Sequence, residues 1–110
     1  MNQKQHPALP AIDIPYMIDF LVRLLNTPSP TGFSGEAIRL VEKELAAFPE
    51  VRTQWTRKGS LLAFLPGQDG TDAPVRRGLT AHVDTLGAMV REIKASGRLE
   101  LTNVGGFAWA

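Results

Sequence analysis

The sequence contains no cysteine, and its positive and negative charges are almost balanced. The missing thiols exclude disulfides, cysteine nucleophiles and zinc sites built on thiolates. The 12 basic and 11 acidic side chains give a formal net charge of +1 at pH 7. Because this balance supplies no excess of positive charge, we expect neither a nucleic acid nor a membrane surface as a partner.

Long apolar runs without charge are also missing. The most apolar N-terminal stretch, residues 14–25, contains Asp19 and Arg23, and no small-residue cleavage site follows it. We therefore expect no secretory signal and no segment that crosses a bilayer. Together with the absent cysteines, this favours a cytoplasmic protein.

The composition is otherwise that of a globular domain. The 110 residues are 44% hydrophobic and 21% charged, which allows one domain at most, with a modest core. Residues 1–12 contain Pro7 and Pro10 and are predicted to form a flexible tail.

Two stretches have apolar residues at helical spacing. The first covers residues 14–25, with Asp13 as its N-cap, and ends where two prolines and a glycine follow in residues 26–32. The second covers residues 36–45, with Ser34 as its N-cap. The sequence therefore predicts two consecutive helices.

After the second helix the pattern changes to that of strands. Residues 51–55 alternate between apolar and polar, and residues 61–65 (LLAFL) are continuously apolar, as in a strand buried on both faces. Residues 78–82 predict a further strand. Residues 88–94 and 98–102 predict a hairpin closed by a turn that contains glycine.

The order of elements predicts an α/β chain that leads into a mostly β portion. Its last residues, 104–110 (VGGFAWA), are apolar and rich in glycine, and we expect Phe107 and Trp109 to be core residues. Because domains usually end in solvated residues, this apolar end predicts an incomplete fold.

His82 and Asp84 form the sharpest local motif. Side chains two positions apart on a strand point to the same face, so the two are expected to project together where residues 78–82 end. A neutral imidazole is a common metal ligand, and a nearby carboxylate can fix its tautomer. The competing interpretation is a hydrogen-bonded structural histidine, because a single His-x-Asp motif also occurs by chance. His6 is expected to be solvated.

Five segments, in order, strengthen the metal interpretation. They resemble the co-catalytic metallopeptidases of the tetrahedral aminopeptidase, glutamyl aminopeptidase and endoglucanase-like family. The resemblance extends over roughly residues 16–110. The segments are residues 24–32 (LLNTPSPTG), 36–45, 57–61 (RKGSL), 80–90 (TAHVDTLGAMV) and 103–107 (NVGGF).

The resemblance implies a role for each part of the chain. His82 would bind one metal ion and Asp84 would orient His82 for catalysis, in a site with two divalent ions, zinc or cobalt. Residues 13–87 would be part of the catalytic α/β domain, and residues 88–110 the start of an inserted β domain. The substrate would be a peptide, cleaved at its N-terminal residue, and the parent protein a homo-oligomer. The remaining ligands lie further along in the family, so the chain alone is expected to be inactive.

Two alternatives stay open. The aminopeptidases usually have glutamate after the motif aspartate, whereas Thr85 stands here, as in the related metal-dependent carboxypeptidases and deacetylases. The aminopeptidase interpretation is preferred because residues 86–90 run directly into the predicted hairpin. The other alternative is a non-catalytic module that uses this hairpin for self-association.

Overall fold

The computed structural model describes residues 10–67 and 77–106, which form two α-helices and two small antiparallel sheets. The α/β class predicted from the sequence is confirmed. None of the described helices is long and apolar enough to cross a lipid bilayer. The predicted core positions Phe107 and Trp109, and most of the predicted tail, lie outside the described residues.

Helix α1 spans Ile14–Leu25 and begins at the predicted cap. Asp13 has an extended backbone, and its side chain accepts a hydrogen bond from the Tyr16 backbone N–H at 3.0 Å. Pro15 lies in the first turn, where a backbone N–H has no helical partner and can be dispensed with. Both features confirm the predicted start of this helix.

Helix α2 spans Gly35–Leu45, and Ser34 is its N-cap residue, as predicted. Ser34 precedes the helix with a ψ of 6°, and its side chain makes no capping hydrogen bond. A capping side chain reaches the first helical N–H groups from an extended backbone, which Ser34 does not have. Ser34 therefore occupies the predicted N-cap position, but its side chain does not supply the capping hydrogen bond.

Polar contacts join α2 to its neighbours. Arg23 of α1 binds the Glu44 carboxylate at 2.9 Å and Asp19 of its own helix at 3.0 Å. The hydrogen bond from Arg23 is the main cause that lowers the pKa of Glu44. A second contact of α2 is made by Glu42, whose Oε1 accepts a hydrogen bond from Trp55 Nε1 at 2.8 Å. These contacts attach α2 to α1 and to the strand that carries Trp55.

The strands in the described part of the chain form two separate antiparallel pairs. Strand β1 spans Arg52–Trp55 and pairs with β2, Leu61–Phe64. Strand β3 spans Gly87–Ile93 and pairs with β4, Leu99–Val104. Gly97 lies in the turn between β3 and β4 with a φ of +79°, a conformation that favours glycine. The second pair confirms the predicted hairpin.

Residues 78–82 do not form the predicted strand. Their Leu79 is 100% exposed, and the pairing nearest to them among the described residues is a single parallel bridge between Pro30 and Thr85. A strand needs a hydrogen-bonded ladder, but among the described residues β1 and β2 pair with each other and not with this segment. Local apolar character was therefore insufficient to make a strand.

Strand β2 forms where predicted, but its burial on both faces is wrong for the described chain. Leu62 is 44% exposed and Phe64 is 48% exposed. Burial on both faces requires a covering layer on each side, and a two-stranded sheet whose β2 pairs only with β1 has none in the part described. Across residues 10–67 and 77–106, Ala37 and Ser29 are the buried residues.

Candidate functional site

The loop between α1 and α2 contacts the segment that carries His82 and Asp84. Thr85 N–H donates to the Ser29 carbonyl at 2.7 Å, and Thr31 N–H donates to the Thr85 carbonyl at 3.2 Å. These two bonds form the parallel bridge between Pro30 and Thr85. We call residues 29–31, together with their partner residues 84–87, the loop clamp. It joins parts of the chain that are far apart in sequence.

Close packing accompanies the hydrogen bonds of the loop clamp. A Cβ atom placed on Gly87 would lie 2.7 Å from Cβ of Pro30, so the proline ring occupies the space that a side chain would need. Ser29 is 3% exposed, and its hydroxyl has no hydrogen-bond partner in the part of the chain that the structure describes. The backbone of Ser29, rather than its side chain, therefore makes the contact with Thr85.

Asp84 receives its strongest contact from the loop. The Thr31 hydroxyl donates to Asp84 Oδ2 at 2.7 Å, a short bond of the kind made to a charged acceptor. This bond is the main cause that lowers the pKa of the Asp84 carboxyl; partial burial opposes it, and the nearby His82 lowers the pKa further. Asp84 is therefore held as a carboxylate, in a defined orientation.

The second oxygen of that carboxylate faces His82. Nδ1 of His82 lies 3.2 Å from Asp84 Oδ1 and 3.2 Å from the Asp84 carbonyl oxygen. Both neighbours accept hydrogen bonds, so the geometry favours a proton on Nδ1 in the neutral ring. The lone pair then lies on Nε2. The His82 side chain is 84% exposed, which leaves this nitrogen accessible.

The sequence predicted that these two side chains meet, and they do, but not for the predicted reason. Residues 78–82 are not a strand, and the carboxylate is oriented by Thr31 instead of by strand geometry. Thr31 and Ser29 are site residues that the sequence patterns do not single out. Residues 26–32 predict the end of a helix and residues 24–32 resemble the metallopeptidase family, but neither feature points to a particular side chain. The signal available for them was the hydroxyl-rich, proline-containing composition of that loop.

The pair has part of the donor set that a divalent metal needs. An exposed imidazole Nε2 with a carboxylate on its opposite nitrogen is the usual arrangement of a metal-binding histidine. A closed tetrahedral site needs four ligands. Within the described residues, no group of three or more His, Asp or Glu side chains could hold an ion. The described residues therefore fit one ligand and its orienting partner.

Comparison with known proteins finds an aminopeptidase relative and a matching aminopeptidase family. In Bacillus subtilis (strain 168), the protein named "Putative aminopeptidase YhfE" is 47% identical over 92 residues, which are 84% of this chain and 25% of that protein. The chain thus spans about a quarter of the length of this relative. Residues 59–110, which include His82 and Asp84, match the sequence profile of M42 glutamyl aminopeptidases. The chain belongs to the M42 glutamyl aminopeptidase family.

Proposed function

We propose that the full-length protein is a metal-dependent aminopeptidase that removes N-terminal residues from peptides, and that His82 binds one of its metal ions. The observation that carries this proposal is the contact of His82 Nδ1 with Asp84 at 3.2 Å, which leaves Nε2 exposed. Membership of the M42 family supports the aminopeptidase reaction.

In this proposal the two residues have different roles. His82 supplies the lone pair of Nε2 to the ion. Asp84 accepts a hydrogen bond from the protonated Nδ1 and so holds the ring in one tautomer and one orientation. This contact raises the basicity of Nε2. Two bound ions, zinc or cobalt, would polarise the peptide carbonyl and lower the pKa of a bound water. Asp84 itself does not contact the ion.

The remaining parts of the proposal follow from the family. Residues 13–87 belong to a catalytic α/β domain and residues 88–110 begin an inserted β domain, in a homo-oligomeric cytoplasmic enzyme. We further propose that the 110 residues alone are inactive. In support, the described residues bring together one histidine and one carboxylate, whereas two-metal hydrolysis needs ligands for both ions and a general base.

Removal of the His82 ring tests this proposal. In the full-length protein, His82→Ala is expected to lose most of its bound zinc or cobalt and its hydrolysis of aminoacyl p-nitroanilides. The matched control is His6→Ala, because the chain has only two histidines. Elemental analysis after desalting and a rate assay give the two readouts. A His82→Ala protein that keeps wild-type metal content and rate would remove His82 from the site.

A second candidate is a metal-dependent carboxypeptidase or deacetylase, favoured by Thr85 after Asp84. Both backbone groups of Thr85 are used by the loop clamp, whereas its side chain makes no hydrogen bond among the described residues. The backbone contacts are therefore compatible with threonine or with glutamate at this position. Peptides blocked at one end separate the two candidates, because an aminopeptidase needs the free amine and a carboxypeptidase the free carboxylate.

A further inference from the structure

An exposed histidine does not hold its own orientation. The His82 side chain is 84% exposed, and its polar contacts within the described residues are both with Asp84. The orientation of the ring therefore depends on how firmly Asp84 is held. A free aspartate side chain rotates among several rotamers, and such a rotation would take the charged acceptor Oδ1 away from Nδ1. The Asp84 carbonyl oxygen would stay near Nδ1, but a neutral carbonyl accepts a weaker hydrogen bond than a carboxylate does.

Among the described residues, Thr31 is the side chain besides His82 that contacts the Asp84 carboxylate. The hydroxyl of Thr31 lies 2.7 Å from Asp84 Oδ2 and 3.5 Å from the Thr85 carbonyl oxygen. A hydroxyl has one proton to donate, and a bond to a carboxylate is shorter and stronger than a bond to a neutral carbonyl. The proton is therefore assigned to the bond with Asp84. One carboxylate oxygen then faces Thr31 and the other faces His82.

Thr31 is itself fixed by its backbone. Its N–H donates to the Thr85 carbonyl at 3.2 Å, and the preceding Pro30 packs against Gly87. The hydroxyl consequently reaches Asp84 from a defined position, although the two residues are 53 positions apart in sequence. Hydrogen bonds within such a chain strengthen one another.

We propose that Thr31 is a positioning residue for His82, acting through the carboxylate of Asp84 to keep the proton on Nδ1 and Nε2 open. The benefit for metal binding rests on the proposed function, whereas the effect on the histidine tautomer does not. The role belongs to the hydroxyl and not to the methyl group of Thr31, because the hydroxyl makes the contact with Oδ2.

Nitrogen NMR of the histidine ring tests the proposal without any assay of activity. Metal-free full-length protein labelled with ¹⁵N-histidine is compared as wild type, Thr31→Val and Thr31→Ser, at a pH where the ring is neutral. The His82 resonances are identified by their loss in His82→Ala. Wild type and Thr31→Ser are expected to show a proton on Nδ1. Thr31→Val is expected to shift towards the tautomer with the proton on Nε2.

Thr27→Val is the matched control. Thr27 lies in the same loop, and its hydroxyl donates to the Arg23 carbonyl at 2.9 Å instead of to Asp84. The Thr27→Val variant should therefore leave the His82 tautomer unchanged. In a second readout, zinc affinity should fall about tenfold in Thr31→Val, at the lower end of the range for groups that orient a ligand, and stay unchanged in Thr31→Ser and Thr27→Val.

The outcomes separate this proposal from the proposed function. An unchanged His82 tautomer in Thr31→Val overturns the positioning role, whatever the zinc affinity does. If valine disturbs the loop clamp, as read from the Thr85 amide resonance, Thr31→Ala repeats the test with a side chain too small to clash, and an unchanged tautomer again overturns the role. A tautomer shift in a protein whose metal content survives His82→Ala supports the positioning role and overturns the proposed function.

Discussion

The loop clamp and the β3–β4 hairpin adjoin each other, yet different kinds of contact hold them. The clamp joins Thr31 to Asp84 across 53 positions of sequence. The hairpin joins neighbours, with the Lys94 N–H donating to the Arg98 carbonyl at 2.9 Å across its turn. A contact between distant residues must offset a larger loss of chain entropy than a contact across a short turn. The hairpin is therefore determined locally, and the candidate site is not.

Gly87 is where the two regions meet. It is the first residue of β3, paired with Val104, and it also packs against Pro30 in the clamp. A side chain at this position would act on the clamp, whereas one at Gly97 would act on the hairpin turn. The same substitution at the two glycines therefore compares the two regions directly.

The largest effect is expected for Gly87→Ala. Its Cβ would lie 2.7 Å from Cβ of Pro30, and a proline ring cannot rotate away as a flexible side chain could. We expect overpacking to destabilise the clamp by about 1–3 kcal/mol. Hydrogen exchange of the full-length protein measures this at the Thr85 amide, which donates to Ser29. The Leu101 amide in β4 serves as the internal reference. Unchanged protection at Thr85 would show that the clamp is looser than its geometry indicates.

A smaller and more local effect is expected for Gly97→Ala. Nothing lies within 4 Å of the added Cβ, so the cost is backbone strain alone at a φ of +79°. That strain costs about 1 kcal/mol. The amides beside the turn, at Lys94 and Gly97, should exchange faster, while Thr85 should exchange as in wild type. Loss of protection at Thr85 as well would mean that the hairpin and the clamp open together.

The smallest effect is a pH dependence of the helices that flank the clamp loop. Arg23 lowers the pKa of Glu44, so the Arg23–Glu44 contact contributes stability above the ordinary glutamate pKa. This contribution is lost as the pH falls through the lowered pKa of the folded protein. Carboxyl NMR should therefore show Glu44 titrating below the usual glutamate range in the wild-type protein, and closer to that range in Arg23→Gln. Equal titration in both proteins would remove Arg23 as the cause.

Much of the secondary structure could be predicted from local patterns. The spacing of apolar residues located α1 and α2, and the glycine-containing turn located the β3–β4 hairpin. The strand predicted at residues 78–82 was wrong because a strand also needs a partner, which a local pattern cannot show. The burial predicted for β2 failed for a related reason, since burial depends on layers contributed by other parts of a chain.

The sequence by itself determined the two helices and the β3–β4 hairpin, because their patterns are local. It also placed His82 and Asp84 two positions apart, near enough along the chain for their side chains to meet. Only the tertiary structure decided which way the carboxylate faces. Its orientation comes from Thr31, in a loop whose sequence predicts the end of a helix and a family resemblance but no contact with Asp84. The physical reason is that a hydrogen bond across 53 positions depends on the path of the whole intervening chain, and no local pattern encodes that path.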